Sequence, residues 1–202
     1  MSTVIASVDR RSPAQLAGIK PGEQLLTING HEIIDVLDYR FYGYDADSHL
    51  TLREPDGAQR AVHIRKQEGQ DLGLNFDTYL MDEMRSCANH CIFCFVDQMP
   101  PGMRQTLYFK DDDARLSFLL GNYITLTNLT EREAQRIIDL HICPINVSVH
   151  TTDPQLHCTM LGNKNAGRSL EYIRAFCKAG IVMNGQIVIC PGWNDGDQLR
   201  RT

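Results

Sequence analysis

The chain has 202 residues, 43% hydrophobic and 22% charged, an ordinary balance for a globular protein of one or two domains that can bury a real core. A net charge of -5 with a pI near 5.8 argues against nucleic acid or an anionic membrane surface as partner. No run approaches the roughly 20 apolar residues that span a bilayer, and Met1-Ser2-Thr3-Val4 lacks the basic start and apolar stretch of a signal peptide, so a cytoplasmic protein is expected.

In chain order, an apolar run at residues 4–8 comes first. Ser12-Pro13-Ala14-Gln15-Leu16-Ala17-Gly18 then reads as a helix of one or two turns, with proline at its start and glycine at its end. Lys20-Pro21-Gly22-Glu23 is a tight turn, residues 24–28 a strand, and Asn29-Gly30 the strongest two-residue hairpin signal, returning the chain through residues 31–34. Residues 35–44 offer a short helix, and strands at 49–53 and 61–65 flank the Pro55-Asp56-Gly57 turn. The series Ser-Pro-Ala-x-x-Ala-Gly-Ile-Lys-Pro-Gly-Glu followed by Ile-Asn-Gly resembles the PDZ domains of bacterial proteases over residues 1–76. That resemblance implies a groove in which a peptide or a protein C-terminus adds as a strand, its carboxylate held by backbone amides of a loop that normally opens the domain. Here Asp71-Leu72-Gly73-Leu74-Asn75-Phe76 lies at the far end instead, so the expectation is a circularly permuted PDZ-like domain at 1–76. The alternative is that 72–76 is only a linker strand and the groove takes no peptide.

Residues 77–85 lead into Cys87-Ala88-Asn89-His90-Cys91-Ile92-Phe93-Cys94, three cysteines spaced C-x3-C-x2-C. A structural zinc site wants four protein ligands, usually as two separated pairs, and no second C-x2-C follows. Three bunched thiols suit a 4Fe-4S cube with one iron lacking a protein ligand. A zinc site with His90 as fourth ligand, or a redox-sensing loop, stays open at this level. Cys143, Cys158, Cys177 and Cys190 are scattered singly and read as small buried hydrophobes.

Pro100-Pro101-Gly102 excludes regular structure from 97–106, which is expected to wrap the thiol loop. Lys110-Asp111-Asp112-Asp113 reads as a solvated helix start rather than a divalent-metal site. From Asn122 the pattern runs strand, helix, strand, helix, strand. The strands are expected near 123–126, at 145–149 and at 187–190, and the helices after the Thr130-x-x-Glu133 capping box and over 166–177. Such βα units imply a parallel sheet whose functional end lies at the strand carboxyl termini, where Thr127, Asn128, His150, Thr151, Pro191 and Asn194 fall.

The thiol loop, its flank to Asp97, the stretch 122–128 and the segment 186–195 together resemble the radical S-adenosylmethionine (radical SAM) enzymes, in a branch that joins a PDZ-like module to the catalytic core. The implied cofactors are a 4Fe-4S cluster held by Cys87, Cys91 and Cys94 and S-adenosyl-L-methionine chelated to the open iron. The implied activity is reductive cleavage to a 5'-deoxyadenosyl radical that abstracts hydrogen, with a flavodoxin or ferredoxin as electron donor. By position, Phe93, Thr127, Asn128, Ser148, His150, Pro191 and Asn194 correspond to cofactor-binding residues, with Gln186 on the later strand. A Gly-Gly-Glu-like segment of the family is replaced here by Leu126-Thr127-Asn128. The expected fold class is therefore α/β: a small mixed α+β N-terminal domain, then a partial (β/α) barrel over 77–202. With three or four strands where such cores have about six βα units, the chain reads as the N-terminal part of a longer enzyme, or as a non-functional fragment.

Overall fold

The computed structural model describes residues 3–202. They fall into two compact units, one ending at Glu83 and the other spanning Met84–Thr202. None of the described helices is long and apolar enough to cross a membrane.

In the first unit, β1 (Ile5–Val8) is followed by α1 (Pro13–Leu16), whose N-cap Ser12 accepts from Gln15 N at 3.1 Å. β2 (Gln24–Ile28) turns through Asn29 and Gly30, both at positive φ, into β3 (His31–Glu32) with Ile28 opposite His31. This is the left-handed pair that a two-residue hairpin requires. α2 (Val36–Tyr42) starts on the Asp35 carboxylate, which accepts from Leu37 N at 2.9 Å. β4 (Asp47–Arg53) and β5 (Gln59–Arg65) complete an antiparallel sheet in the order β3-β2-β4-β5. Along β4 the residues alternate: Ser48, Leu50 and Leu52 are buried, whereas Asp47, His49 and Arg53 face solvent. β6 (Leu74–Phe76) returns to pair antiparallel with β1, Val8 opposite Leu74 and Ile5 opposite Phe76.

In the second unit a short 3-10 turn (Gln105–Tyr108) precedes α3 (Ala114–Leu120), then α4 (Glu131–Asp139), β7 (Ile145–Ser148), α5 (Pro154–Leu161), α6 (Arg168–Lys178), β8 (Met183–Gln186) and α7 (Gly196–Arg201). β7 and β8 run parallel in the register Ile145–Met183 to Ser148–Gln186. The core gathers Ile124, Leu126, Ile137, Ile145, Val147 and Phe176. The Thr130 capping box forms as expected, with Thr130 N donating to Glu133 and Glu133 N donating to the Thr130 hydroxyl.

Four expectations are corrected. The strand near 123–126 is reduced to one parallel bridge, Ile124 with Val147. The strand expected at 187–190 lies earlier, at β8. The backbone N–H groups of Val188 and Cys190 donate to the side chains of His150 and Asn194, which removes them from any ladder. The acidic run is not a solvated helix start, because Asp112 and Asp113 are 2% and 1% exposed. Asp113 caps α3 and pairs with buried Arg115, Nη2 to Oδ2 at 2.6 Å. Finally, Cys143 and Cys177 are exposed rather than buried. Helix α5 was not expected, although Asp153-Pro154 is a legible start: the Asp153 carboxylate accepts from Gln155 N and Leu156 N at 2.9 and 3.0 Å.

Candidate functional site

The thiol loop has no regular structure of its own, so its shape comes from where its polar groups are tied. The last carbonyls of a helix lack intrahelical partners. The last two of α5 are taken by the loop: His90 N donates to Leu161 O and Ile92 N to Met160 O, both at 2.9 Å. Gly162 ends α5 in the left-handed conformation (φ 58°), and a Cβ there would stand 2.4 Å from the His90 carbonyl oxygen. At the other side, Cys87 N donates to Lys110 O at 2.6 Å. The Lys110 ammonium donates to Asn89 O at 2.7 Å and to both Asp97 oxygens at 2.9 and 3.0 Å. Burial works against the charge of Lys110, but the Asp97 carboxylate more than offsets it and raises the pKa of the amine.

Asn89, 1% exposed, is the hub of the loop. Its amide donates to the Thr125 and Thr127 hydroxyls, each at 2.9 Å, and its carbonyl accepts from Asn163 Nδ2 at 2.7 Å. Thr125 in turn donates through its hydroxyl to Asp112 Oδ2 (2.5 Å) and through its backbone N–H to Oδ1 (2.6 Å). Burial pushes the Asp112 carboxyl up to about 6 despite those hydrogen bonds. A buried polar network satisfied at each member fixes one geometry. Here it fixes the loop against residues 125–127 and 163.

A cleft of about 540 Å³ opens over this loop. Cys87, Cys91 and Cys94 all line it, as do Phe93, Ser148 and His150. The thiols are half-buried. Burial pushes the Cys91 thiol up to about 12, with further opposition from neighbouring Cys87 and Cys94. Three such thiols ionise together only around a cation. His150 follows β7 by two residues at φ 57°, is 3% exposed, and stacks obliquely on Phe93 with ring centroids 4.5 Å apart. Its Nδ1 accepts from Val188 N at 3.1 Å, so the neutral ring carries its proton on Nε2. Burial lowers its pKa to about 4, which keeps it neutral at physiological pH.

Thus seven of the residues expected at the site, Gln186 among them, meet at one cleft, and four do not line it. Thr127 belongs to the Asn89 network, and Asn128 donates to Ser86 O at 3.4 Å. Pro191 sits in an exposed turn. Asn194 is fully buried: it accepts from Cys190 N at 2.7 Å and donates to His150 O and Val188 O at 2.8 and 2.9 Å, thereby positioning His150. His90 points outward, its Nδ1 3.7 Å from Asp97. Lys110, Thr125 and Asn89 were not foreseen. Asn89 at least had a signal, since it lies between two cysteines of the loop.

Comparison with known proteins decides the family. A family model described as a radical SAM-like domain matches residues 66–202, more than half of the chain. The chain belongs to the radical SAM-like family. A PDZ domain model matches residues 4–53. No curated protein matches the chain. Within this radical SAM-like protein, the thiol loop and its cleft lie inside the matched region.

The PDZ-matched unit has its own hollows, of about 290 and 300 Å³, between α2 and the segment 69–76. Both are lined by Tyr39, Arg40 and Asp71. Gly73 N donates to Asp71 Oδ1 at 2.6 Å, Leu74 N to the Tyr39 hydroxyl at 3.3 Å, and that hydroxyl to Asp71 Oδ1 at 2.9 Å. The two successive amides at the start of β6 are therefore already engaged by side chains of the same unit.

Proposed function

We propose that the protein is a radical SAM enzyme in which Cys87, Cys91 and Cys94 hold a 4Fe-4S cluster. The observation that carries this reading is the convergence of the three thiols on one cleft, with Phe93, Ser148 and His150 on its walls. The donor set fits the group. Thiolates are the ligands of iron-sulfur clusters, and three of them leave one iron open to S-adenosylmethionine. When bound, the cluster and S-adenosylmethionine would supply a 5'-deoxyadenosyl radical for hydrogen abstraction, with the electron delivered by a flavodoxin or ferredoxin.

The chain's own residues bind and orient. Lys110 and Asn89 hold the loop, Phe93 offers an aromatic face for the adenine, and His150 presents an Nε2–H donor to the cleft wall. We read the second unit as a partial (β/α) barrel with the cleft at its functional end. The test is electron paramagnetic resonance of the anaerobically reconstituted, reduced chain with and without S-adenosylmethionine. A 4Fe-4S signal that shifts on adding the cosubstrate is expected, and a cluster indifferent to it would refute the open-iron reading.

We read the first unit as a permuted PDZ module, β6 supplying the strand along which an extended peptide adds. A terminal carboxylate would have to displace Asp71 from Gly73 N, so internal segments fit this groove better than chain termini. A pooled decapeptide library, made as free acids and as amides, checks this by fluorescence polarisation. The wild type is expected to favour the amides. Asp71→Ala is expected to shift preference toward the free acids about tenfold, about 1.4 kcal/mol. Preference of the wild type for free acids would reject the role of Asp71, and binding of neither form would reject strand addition itself.

A further inference from the structure

A second group of metal-binding side chains lies in the first unit, on the solvent face of the β4–β5 hairpin. Asp47 and His49 are two apart on β4, so the pleat sends both to the same face. His63 is the residue directly opposite His49 in the antiparallel register. The two imidazoles stack at 4.3 Å, 5° from parallel. His49 Nε2 lies 3.5 Å from Asp47 Oδ1, and His63 Nε2 contacts the same oxygen. One ligand atom from each residue falls within 4.8 Å of the other two.

We propose that Asp47, His49 and His63 form a binding site for a divalent transition-metal ion of the zinc class. The donor set selects the ion: two imidazole nitrogens with one carboxylate suit zinc, copper or nickel, whereas calcium and magnesium want oxygen ligands. The distances suit it as well, because zinc bonds of about 2.0–2.1 Å set neighbouring ligand atoms about 3.3 Å apart, a small side-chain rotation from the positions observed. Arg65 Nε reaches the other carboxylate oxygen, Oδ2, at 3.7 Å, which leaves Oδ1 for the ion. The sheet supplies the preorganisation, since the three ligands come from two paired strands with fixed register. All three side chains are open to solvent, so an ion can enter and a fourth position stays available to water or a partner's side chain. A bound ion would tie β4 to β5 and stabilise the folded unit by mass action. The bland alternative for the same residues is a surface ion pair between His63 and Asp47, which needs no metal.

The experiment is a zinc titration of the full chain, 15N-labelled, followed on the imidazole nitrogen resonances. This reads each histidine separately, so zinc held by the cysteines does not confuse it. The Nε2 resonances of His49 and His63 are expected to move together with one dissociation constant, and His31 and His141 to stay in place. His63→Gln and Asp47→Asn should each weaken that dissociation constant tenfold or more while leaving the backbone amide spectrum of the sheet intact. Two unfolding-independent variants keep the result readable if one of them misfolds. Resonances of His49 and His63 unmoved by zinc, or an affinity unchanged in both variants, would overturn the site and leave the ion pair as the explanation.

Discussion

Alanine at Cys91 is expected to leave the anaerobically reconstituted protein colourless and without iron or sulfide, whereas alanine at Cys143 or Cys177 leaves both unchanged. The difference follows from placement. Cys91 lines the cleft, and its thiol is held protonated by burial and by the neighbouring Cys87 and Cys94. A cationic group bound there offsets three developing charges at once, and with one ligand gone the remaining two cannot enclose a cube. Cys143 and Cys177 are exposed and do not line the cleft. Iron and sulfide analysis with visible absorption reads all three variants. Full iron in Cys91→Ala, or lost iron in Cys143→Ala, would remove the thiol loop from the proposal.

Gly162→Ala is expected to do nearly as much damage without touching a ligand. A methyl there would meet the His90 carbonyl oxygen at 2.4 Å, and the contact is to backbone, which cannot swing away. The residue also sits at φ 58°, where any side chain costs roughly 1–2 kcal/mol. The two costs together put the loss at about 2 kcal/mol or more in the second unit, with the loop lifted from the carbonyls of Met160 and Leu161. Two measurements check it: the midpoint of chemical unfolding and the iron bound after reconstitution. Glycine-like stability and full iron in the alanine variant would mean that the loop is not seated on α5.

What pattern alone could locate, it located well. The short helix opened by Pro13, the Thr130 capping box and the Asn29-Gly30 hairpin are local rules, each satisfied within a few residues. The thiol spacing likewise drew attention to a loop that lies within the region matched by the radical SAM-like domain. Pattern failed where the backbone's partners are distant. Residues 187–190 look like a strand, yet His150 and Asn194 claim their N–H groups, and Ile187 and Ile189 are exposed. The acidic run looked solvated because nothing nearby in sequence predicts that Asp112 meets Thr125 and that Arg115 pairs with Asp113.

By itself, then, the sequence determined the two-part organisation, many of the short-range elements and the presence of a three-thiol loop, since each depends on side-chain type and spacing along the chain. Only the tertiary structure decided that Phe93, Ser148 and His150 share one cleft with those thiols and that Asn194 serves His150 from within the core. It alone decided that Asn89 and Lys110 hold the loop, that Asp71 engages Gly73 N while the Tyr39 hydroxyl engages Leu74 N, and that His63 comes to face His49. Those facts are hydrogen bonds and contacts between residues far apart in the chain. They exist because buried polar groups must find partners wherever the packed fold brings them, and no local pattern records which partner that will be.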